Sequence, residues 1–181
     1  MKNITQDYLN QCFEYEAVTG RLYWKNRPQS HFNSSSGCKL FNGQFAGKIA
    51  GGIDGRGYIK VRLNDRKHQA HRLIWILVKG EIPDDLVIDH INHNRTDNRI
   101  ENLRVTTVAD NFKNQVLRNT NTSGASGVSW YERYGKWVAR INHKEKRICL
   151  GYFENKDDAI LARQKAEINF GYHYNHGTVR V

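Results

Sequence analysis

The stretch VIDHINHNRTDNRIENLRVTTVADNF, residues 87–112, decides how this chain is read. It opens on a short apolar run and passes through a loop crowded with Asn, Asp and Arg. It then re-enters an alternating run at Leu103 to Thr106 and meets a helix near Thr107. Period-two alternation on both sides of a polar loop predicts two strands, and the change of period after Thr106 predicts the helix. Strand, loop, strand and helix in this order place Asp89 and His90 at the end of the first strand. They place Asn102 at the entry to the second and Asn111 in the helix.

These residue types suit the hydrolysis of a phosphodiester, which needs an activated water, a base to take its proton and a cation to stabilise developing charge. Asp89 supplies a hard oxygen ligand, and His90 a base whose ordinary pKa lies near neutrality. The Asn111 amide oxygen can complete a metal cradle, and the Asn102 amide can bond backbone across the loop and fix the orientation of His90. Adjacent strand residues face opposite ways, so Asp89 and His90 share a site only where the strand bends or ends. Asn and Asp are also ordinary turn residues, so any one asparagine of RTDNRIEN reads equally as part of a hydrogen-bonded loop, while the ordered set after Asp-His favours a site. His93 is a second candidate base and reads better as facing solvent or phosphate. His71 reads as a hydrogen-bonded packing residue, His68 as exposed or close to nucleic acid, and Asp97 as a loop stabiliser.

Upstream, ITQDYLNQCFEYEAV has Tyr8, Leu9, Cys12 and Phe13 at helical spacing behind Thr5 as N-cap. TGRLYW then predicts a turn and a strand, and residues 26 to 46 read as a long polar loop. In GYIKVRLNDRKHQ, Ile59, Val61 and Leu63 alternate with Lys60 and Arg62, and Asn64-Asp65 supplies the turn of a hairpin. Gly51, Gly52, Gly55 and Gly57 belong to such turns and not to a phosphate cradle, because no strand–GxGxxG–helix order is present. HRLIWILVKG is a nearly wholly apolar helix closed by Gly80 and Pro83.

Composition narrows the partners. The 181 residues carry 28 Lys+Arg against 18 Asp+Glu, a net charge of +10, divided as +6 before Ser123 and +4 from it onward. Both parts are basic, which suggests a polyanion and first of all nucleic acid. A mean hydropathy of −0.73 and the lack of an apolar run of about 18 residues argue against a membrane span. The N-terminal segment lacks the apolar stretch of a secretory signal, so a cytoplasmic location, in a bacterium or a phage-infected host, is expected. Cys12, Cys38 and Cys149 are scattered and odd in number, which predicts neither a disulfide framework nor a structural zinc site.

From the Asp-His pair to the helix asparagine, DHINHNRTDNRIENLRVTT…N resembles the signature of the ββα-metal, or HNH, nucleases, especially the homing-endonuclease branch. GYIKVRL…HRLIW, upstream, is similar to what precedes that motif in phage-type members. The resemblance implies that Asp89 and Asn111 bind a divalent metal, that His90 is the general base and that Asn102 is the positioning residue. Asn111 stands where the last residue of the named triplet falls, and its oxygen favours Mg2+ or Mn2+ over zinc. Products with 5′-phosphate and 3′-hydroxyl ends are implied as well.

The last part of the chain has three strand-like runs, VSWYER, KWVARIN and KRICLGYF, and a helix from about Lys156 to Phe170. Alternation puts Val128, Trp130, Trp137, Ala139, Ile141, Ile148 and Leu150 on one face, which the stripe Ala159, Ala162, Ala166 can cover. Ser129, Tyr131, Arg133, Arg140, Asn142, Arg147 and Cys149 fall on the other, an arrangement suited to a DNA groove. GVSWYERYGKWVARI…KRICLGYFENKDDAILARQKA is similar to the plant Apetala-type, or ethylene-response-factor, DNA-binding domain. That resemblance implies DNA contacts by Tyr131, Arg133, Arg140, Asn142 and Arg147. Ser129 replaces an expected arginine and Cys149 an aromatic, so the recognised sequence does not carry over.

The expectation is therefore an α+β protein. A ββα-metal HNH nuclease unit with an N-terminal β-rich region spans residues 1–112, its motif core at 87–112. A linker at 113–123 leads to a three-stranded antiparallel sheet packed on one helix, residues 124–176. The expected activity is metal-dependent cleavage of double-stranded DNA, with no membrane and no obligate protein partner. A non-enzymatic DNA-binding regulator on a degenerate HNH fold is the alternative.

Overall fold

The computed structural model describes residues 4–144 and 146–178. The chain is a mixed α+β protein that divides into two units, Met1–Thr107 and Val108–Val181. Among the described residues no helix is long and apolar enough to cross a membrane.

In the first unit α1 (Gln6–Cys12) begins where the Thr5 side chain accepts from the Tyr8 N–H, satisfying one donor left open at a helix start. The helix stops at Cys12, earlier than the spacing of Phe13 predicts, because Phe13 already belongs to a strand. β1 (Phe13–Glu16) pairs antiparallel with β2 (Arg21–Trp24), from Phe13 against Trp24 to Glu16 against Arg21. The next stretch, expected to be a long loop, contains α2 (Ser35–Phe45), with Ser34 as N-cap to Gly37 N. Its Ser and Gly residues mask an apolar spacing of Cys38, Phe41 and Phe45. The Phe41 ring meets Trp24 edge-on at 5.1 Å and Phe45 at 4.9 Å.

A second sheet follows, β3 (Gly52–Ile53), β4 (Ile59–Leu63) and β5 (Arg66–Gln69), in that order. Asn64 and Asp65 turn the last two strands with φ of 50° and 60°, the positive pair a two-residue hairpin demands. His68, expected to be exposed or close to nucleic acid, sits half-buried within 3.2 Å of the Leu63 carbonyl and ties the hairpin together. α3 (Ala70–Lys79) buries Leu73, Ile74 and Leu77 against α1, whose Gln6 side chain donates to the Leu77 carbonyl. With Leu9, Phe13, Leu22, Val61 and Leu63 they form the core, each large side chain stabilising the fold by about 1.5–3 kcal/mol. β6 (Leu86–His90) and β7 (Leu103–Thr107) complete the unit as an antiparallel pair, with Asp89 opposite Arg104 and His90 opposite Leu103.

The second unit starts with α4 (Val108–Phe112). Residues 113–117, expected as linker, hydrogen-bond to the tail of this same unit. Leu117 N donates to the Thr178 carbonyl and Gly177 N to that of Gln115. Farther on, β8 (Val128–Tyr131), β9 (Lys136–His143) and β10 (Lys146–Phe153) form a sheet in the order β10-β9-β8, and α5 (Lys156–Asn169) packs on it. Val128, Ala139 and Ala159 form a buried apolar cluster, and Val138, Ile141 and Ala166 are buried as well. The buried stripe of α5 is Ala159, Arg163, Ala166, with Ala162 only half-buried. Arg163 enters it because its guanidinium donates to the Arg140 carbonyl and pairs with Glu167 at 2.7 Å.

Candidate active site

β6 ends at His90, and its last two residues, Asp89 and His90, meet different partners. Asp89 faces its cross-strand neighbour, and its Oδ2 accepts from Arg104 Nε and Nη2 at 3.1 and 2.9 Å. His90, as the strand finishes, turns among Asn98, His71 and Tyr58. His90 Nε2 lies 2.9 Å from Asn98 Oδ1, and the His71 ring meets the His90 ring edge-on at 4.9 Å. Tyr58 flanks both, at 5.5 Å from His71 and 6.0 Å from His90. The Arg95 guanidinium lies 4.6 Å over the Tyr58 ring and donates to the Arg56 carbonyl.

The loop from Ile91 to Arg99 is held by its own polar side chains, as its Asn and Asp content requires. Asn102 Oδ1 accepts from Asn92 N at 3.0 Å, and its Nδ2 donates to the Asp97 carbonyl at 2.8 Å. The Asp97 carboxylate takes both Arg99 Nε and Nη2, together with Asn92 Nδ2. Those bonds, Arg99 first, hold the Asp97 carboxyl below its ordinary value. His93 adopts a φ of 63° in the turn where its N–H reaches the His90 carbonyl.

Burial dominates the electrostatics of the two histidines. Burial pushes His71 down to about 3, helped by the neighbouring His90 and Arg72, so its ring is neutral at pH 7. At 4% exposure, its Nδ1 has no hydrogen-bond partner. That differs from the hydrogen-bonded packing role its position suggested. Burial also lowers His90, while the bond to Asn98 and the charge of Asp89 pull it back up. Because burial favours its neutral form, the His90 imidazole at the strand end can accept a proton.

The four residues singled out from the sequence do not all lie in one unit. Asp89, His90 and Asn102 are buried in the first, whereas Asn111 is half-exposed on α4 in the second. Asn98, Arg104, Tyr58 and His71 are the neighbours that sequence reasoning did not assign to the site. Arg104 is directly opposite Asp89 once the two strands pair, a register that alternation within each strand does not set.

Comparison with known proteins bears on this segment. Residues 68–119 match the HNH endonuclease family. Protein 3.8 of Escherichia phage T7 is 31% identical to this chain over 77 residues, covering 42% of the chain and 64% of that protein. An uncharacterized HNH endonuclease, L560, of Acanthamoeba polyphaga mimivirus is 38% identical over 85 residues, covering 45% and 44% respectively. The chain thus spans less than two thirds of the length of either relative. The HNH homing endonuclease I-HmuI, in a solved structure described for DNA binding and cleavage, is similar at 26% identity with a TM-score of 0.40, over 57% of this chain and 51% of that one. The HNH match runs from the end of β5 through α3, β6, β7 and α4, so it contains Asp89, His90, Asn102 and Asn111 together.

In the second unit, Arg140 points its guanidinium over the Tyr131 ring at 5.7 Å, and Arg147 pairs across the strands with Asn142, both exposed. Arg133 is not on the sheet face. It lies in the short 3-10 turn Glu132–Tyr134 after β8, over Tyr134. Tyr134 and Tyr152 join Tyr131 in an aromatic cluster, with ring centroids 5.0 to 5.6 Å apart. Tyr152 escaped the sequence reading because a bulge between Cys149 and Gly151 shifts the alternation of β10 by one residue.

Proposed function

We propose that this chain is a divalent-metal-dependent DNA endonuclease of the phage or mobile-element kind, with His90 as general base. The observation that carries the reading is a buried imidazole fixed at the end of β6 by its bond to Asn98, next in sequence to a carboxylate and inside the segment that matches the HNH endonucleases. Water attacking the scissile phosphorus gives its proton to His90 as the new P–O bond forms and the bond to the 3′ oxygen breaks. The departing 3′ oxygen is protonated from solvent, leaving 5′-phosphate and 3′-hydroxyl ends. Asn102 acts by holding the loop in shape through Asn92 and Asp97.

A carboxylate and an amide oxygen are hard donors, so the set of Asp89 and Asn111 fits Mg2+ or Mn2+ in its chemistry. Bound there, the cation would neutralise charge on the phosphate and on the leaving oxygen. Among the described residues no three His, Cys, Asp or Glu side chains converge on a metal position. Asp89 shares its carboxylate with Arg104. That guanidinium keeps the Asp89 charge matched inside the fold and orients the carboxylate on its strand.

The second unit would select the DNA site through Tyr131, Arg133, Arg140, Asn142 and Arg147, in the manner of the Apetala-type sheet its sequence resembles. Supercoiled plasmid incubated with the full chain tests the reading. Nicked or linear product is expected with Mg2+ or Mn2+, and none with EDTA. Intact plasmid with either metal, at protein concentrations that shift the DNA in a gel, overturns it in favour of a DNA-binding protein that does not cut.

A further inference from the structure

An imidazole serves as a base only through the nitrogen that carries the lone pair, and the partner of the other nitrogen decides which one that is. His90 Nε2 lies 2.9 Å from Asn98 Oδ1. An amide oxygen accepts and cannot donate, so the proton sits on Nε2 and the lone pair on Nδ1. Asn98 is 1% exposed, which keeps water from competing for this bond. Asn102, expected to orient the histidine, spends both ends of its amide on the backbone of Asn92 and Asp97.

Asn98 is itself held from outside the HNH match. The Tyr15 hydroxyl, on β1, accepts from Ile100 N at 2.9 Å and lies 3.4 Å from the Asn98 carbonyl. The turn of the β1–β2 hairpin brings Gly20, at a φ of 71°, against the backbone of Asn98 and Arg99. A Cβ at Gly20 would stand 2.6 Å from the Asn98 carbonyl carbon and closer still to Arg99 N, so only glycine allows this approach.

We infer that Asn98 is the positioning residue that fixes His90 as the Nε2–H tautomer, and that the N-terminal hairpin holds Asn98 in place through Tyr15 and Gly20. The catalytic device is therefore larger than the HNH segment, because residues 13–24 buttress the loop that orients the base. The inference rests on the nuclease reading for its consequence in rate, but the tautomer is a property of the folded chain without metal.

The test is long-range proton–nitrogen NMR of the full chain labelled with 15N-histidine, at about pH 8, where neutral imidazoles dominate. The His90 signals are assigned by their loss in His90→Gln. Wild type is expected to show His90 as Nε2–H. Asn98→Leu, which keeps the volume but has no acceptor, is expected to lose that single tautomer, and Asn98→Asp to retain it. In plasmid cleavage, Asn98→Leu should lower kcat about 10- to 100-fold at nearly constant KM, the usual cost of losing a residue that orients a functional histidine. Tyr15→Phe should lower kcat by a smaller factor in the same direction. An unchanged tautomer and rate in Asn98→Leu overturn the proposal. If that variant does not fold, loss of the Nε2–H tautomer in Asn98→Asp does so, and wild-type kcat in Tyr15→Phe overturns the buttress. A wild-type chain that shows the Nε2–H tautomer but cuts no DNA leaves the assignment standing and overturns the nuclease reading instead.

Discussion

In the first unit His71, Asp89, His90, Asn98 and Asn102 are buried around the end of one strand, each brought against ring, amide or guanidinium neighbours. In the second, Arg133, Asn142 and Arg147 stand in solvent on a unit whose buried apolar residues include Val128, Val138, Ala139, Ile141 and Ala159. Burying polar groups opposes folding unless their partners are supplied, so such a cluster persists in a core for what it does. Exposed arginines on a small sheet carry no such penalty and suit a surface that docks and releases a polyanion. If the first unit does the chemistry and the second the DNA contact, as proposed, removing residues from each should have different signatures.

The largest effect is expected at His90. His90→Ala should reduce plasmid cleavage by about 10² to 10⁴-fold, the usual worth of a general base, with DNA affinity unchanged. Equal cleavage by mutant and wild type would show that the buried cluster is not the chemical site. Next comes the pH dependence of stability. His71 is held at about 3 when folded but titrates near 6.5 when unfolded. Between these values only the unfolded chain binds the proton. The stabilisation is complete above pH 6.5 and falls as pH drops towards 3, by about 1.4 kcal/mol per unit. Burial lowers His90 too, which adds in the same direction. Urea melts of the full chain at several pH values should show this slope, and His71→Phe should flatten it.

Asn102→Ala should cost about 1–3 kcal/mol of stability, because it removes two hydrogen bonds, to the Asn92 N–H and the Asp97 carbonyl, each worth about 0.5–1.5 kcal/mol. Chemical denaturation at pH 7 measures it, and a wild-type midpoint would mean that the loop re-forms around water. The smallest effects are expected on the exposed face. Arg140→Ala and Arg147→Ala should each weaken DNA binding by about 1–3 kcal/mol where they meet a base. Where they meet a phosphate, each should lower the salt-dependence slope by about 0.9. Neither should alter folding. Wild-type affinity in the double mutant at two salt concentrations would erase the contrast between the two units.

Periodicity and turn chemistry were enough to outline most elements. The β4–β5 turn at Asn64-Asp65, the strand–loop–strand of residues 86–107, the apolar α3 and the sheet with α5 all follow from patterns within a few residues. The position of Asp89-His90 at the end of an apolar strand was also readable without a fold. α2 was hidden, because Ser and Gly diluted an apolar spacing that acquires meaning only when Trp24 and Phe32 supply rings for Phe41.

By itself, then, the sequence determined most of the elements, the charge that favours a polyanion, and which residue types are candidates for metal binding and proton transfer. Those are properties of side-chain type and of periods of 2 and 3.6 residues, which act over short distances along the chain. Only the tertiary structure decided which of several asparagines meets His90. Asn92, Asn94, Asn98 and Asn102 have the same chemistry, and the choice falls on Asn98 because a hairpin some eighty residues earlier in the chain presses its backbone into place. The pairing of Arg104 with Asp89 and the lone buried His71 beside His90 were likewise settled by strand register and helix packing, which bring together residues that have no local relation in the chain.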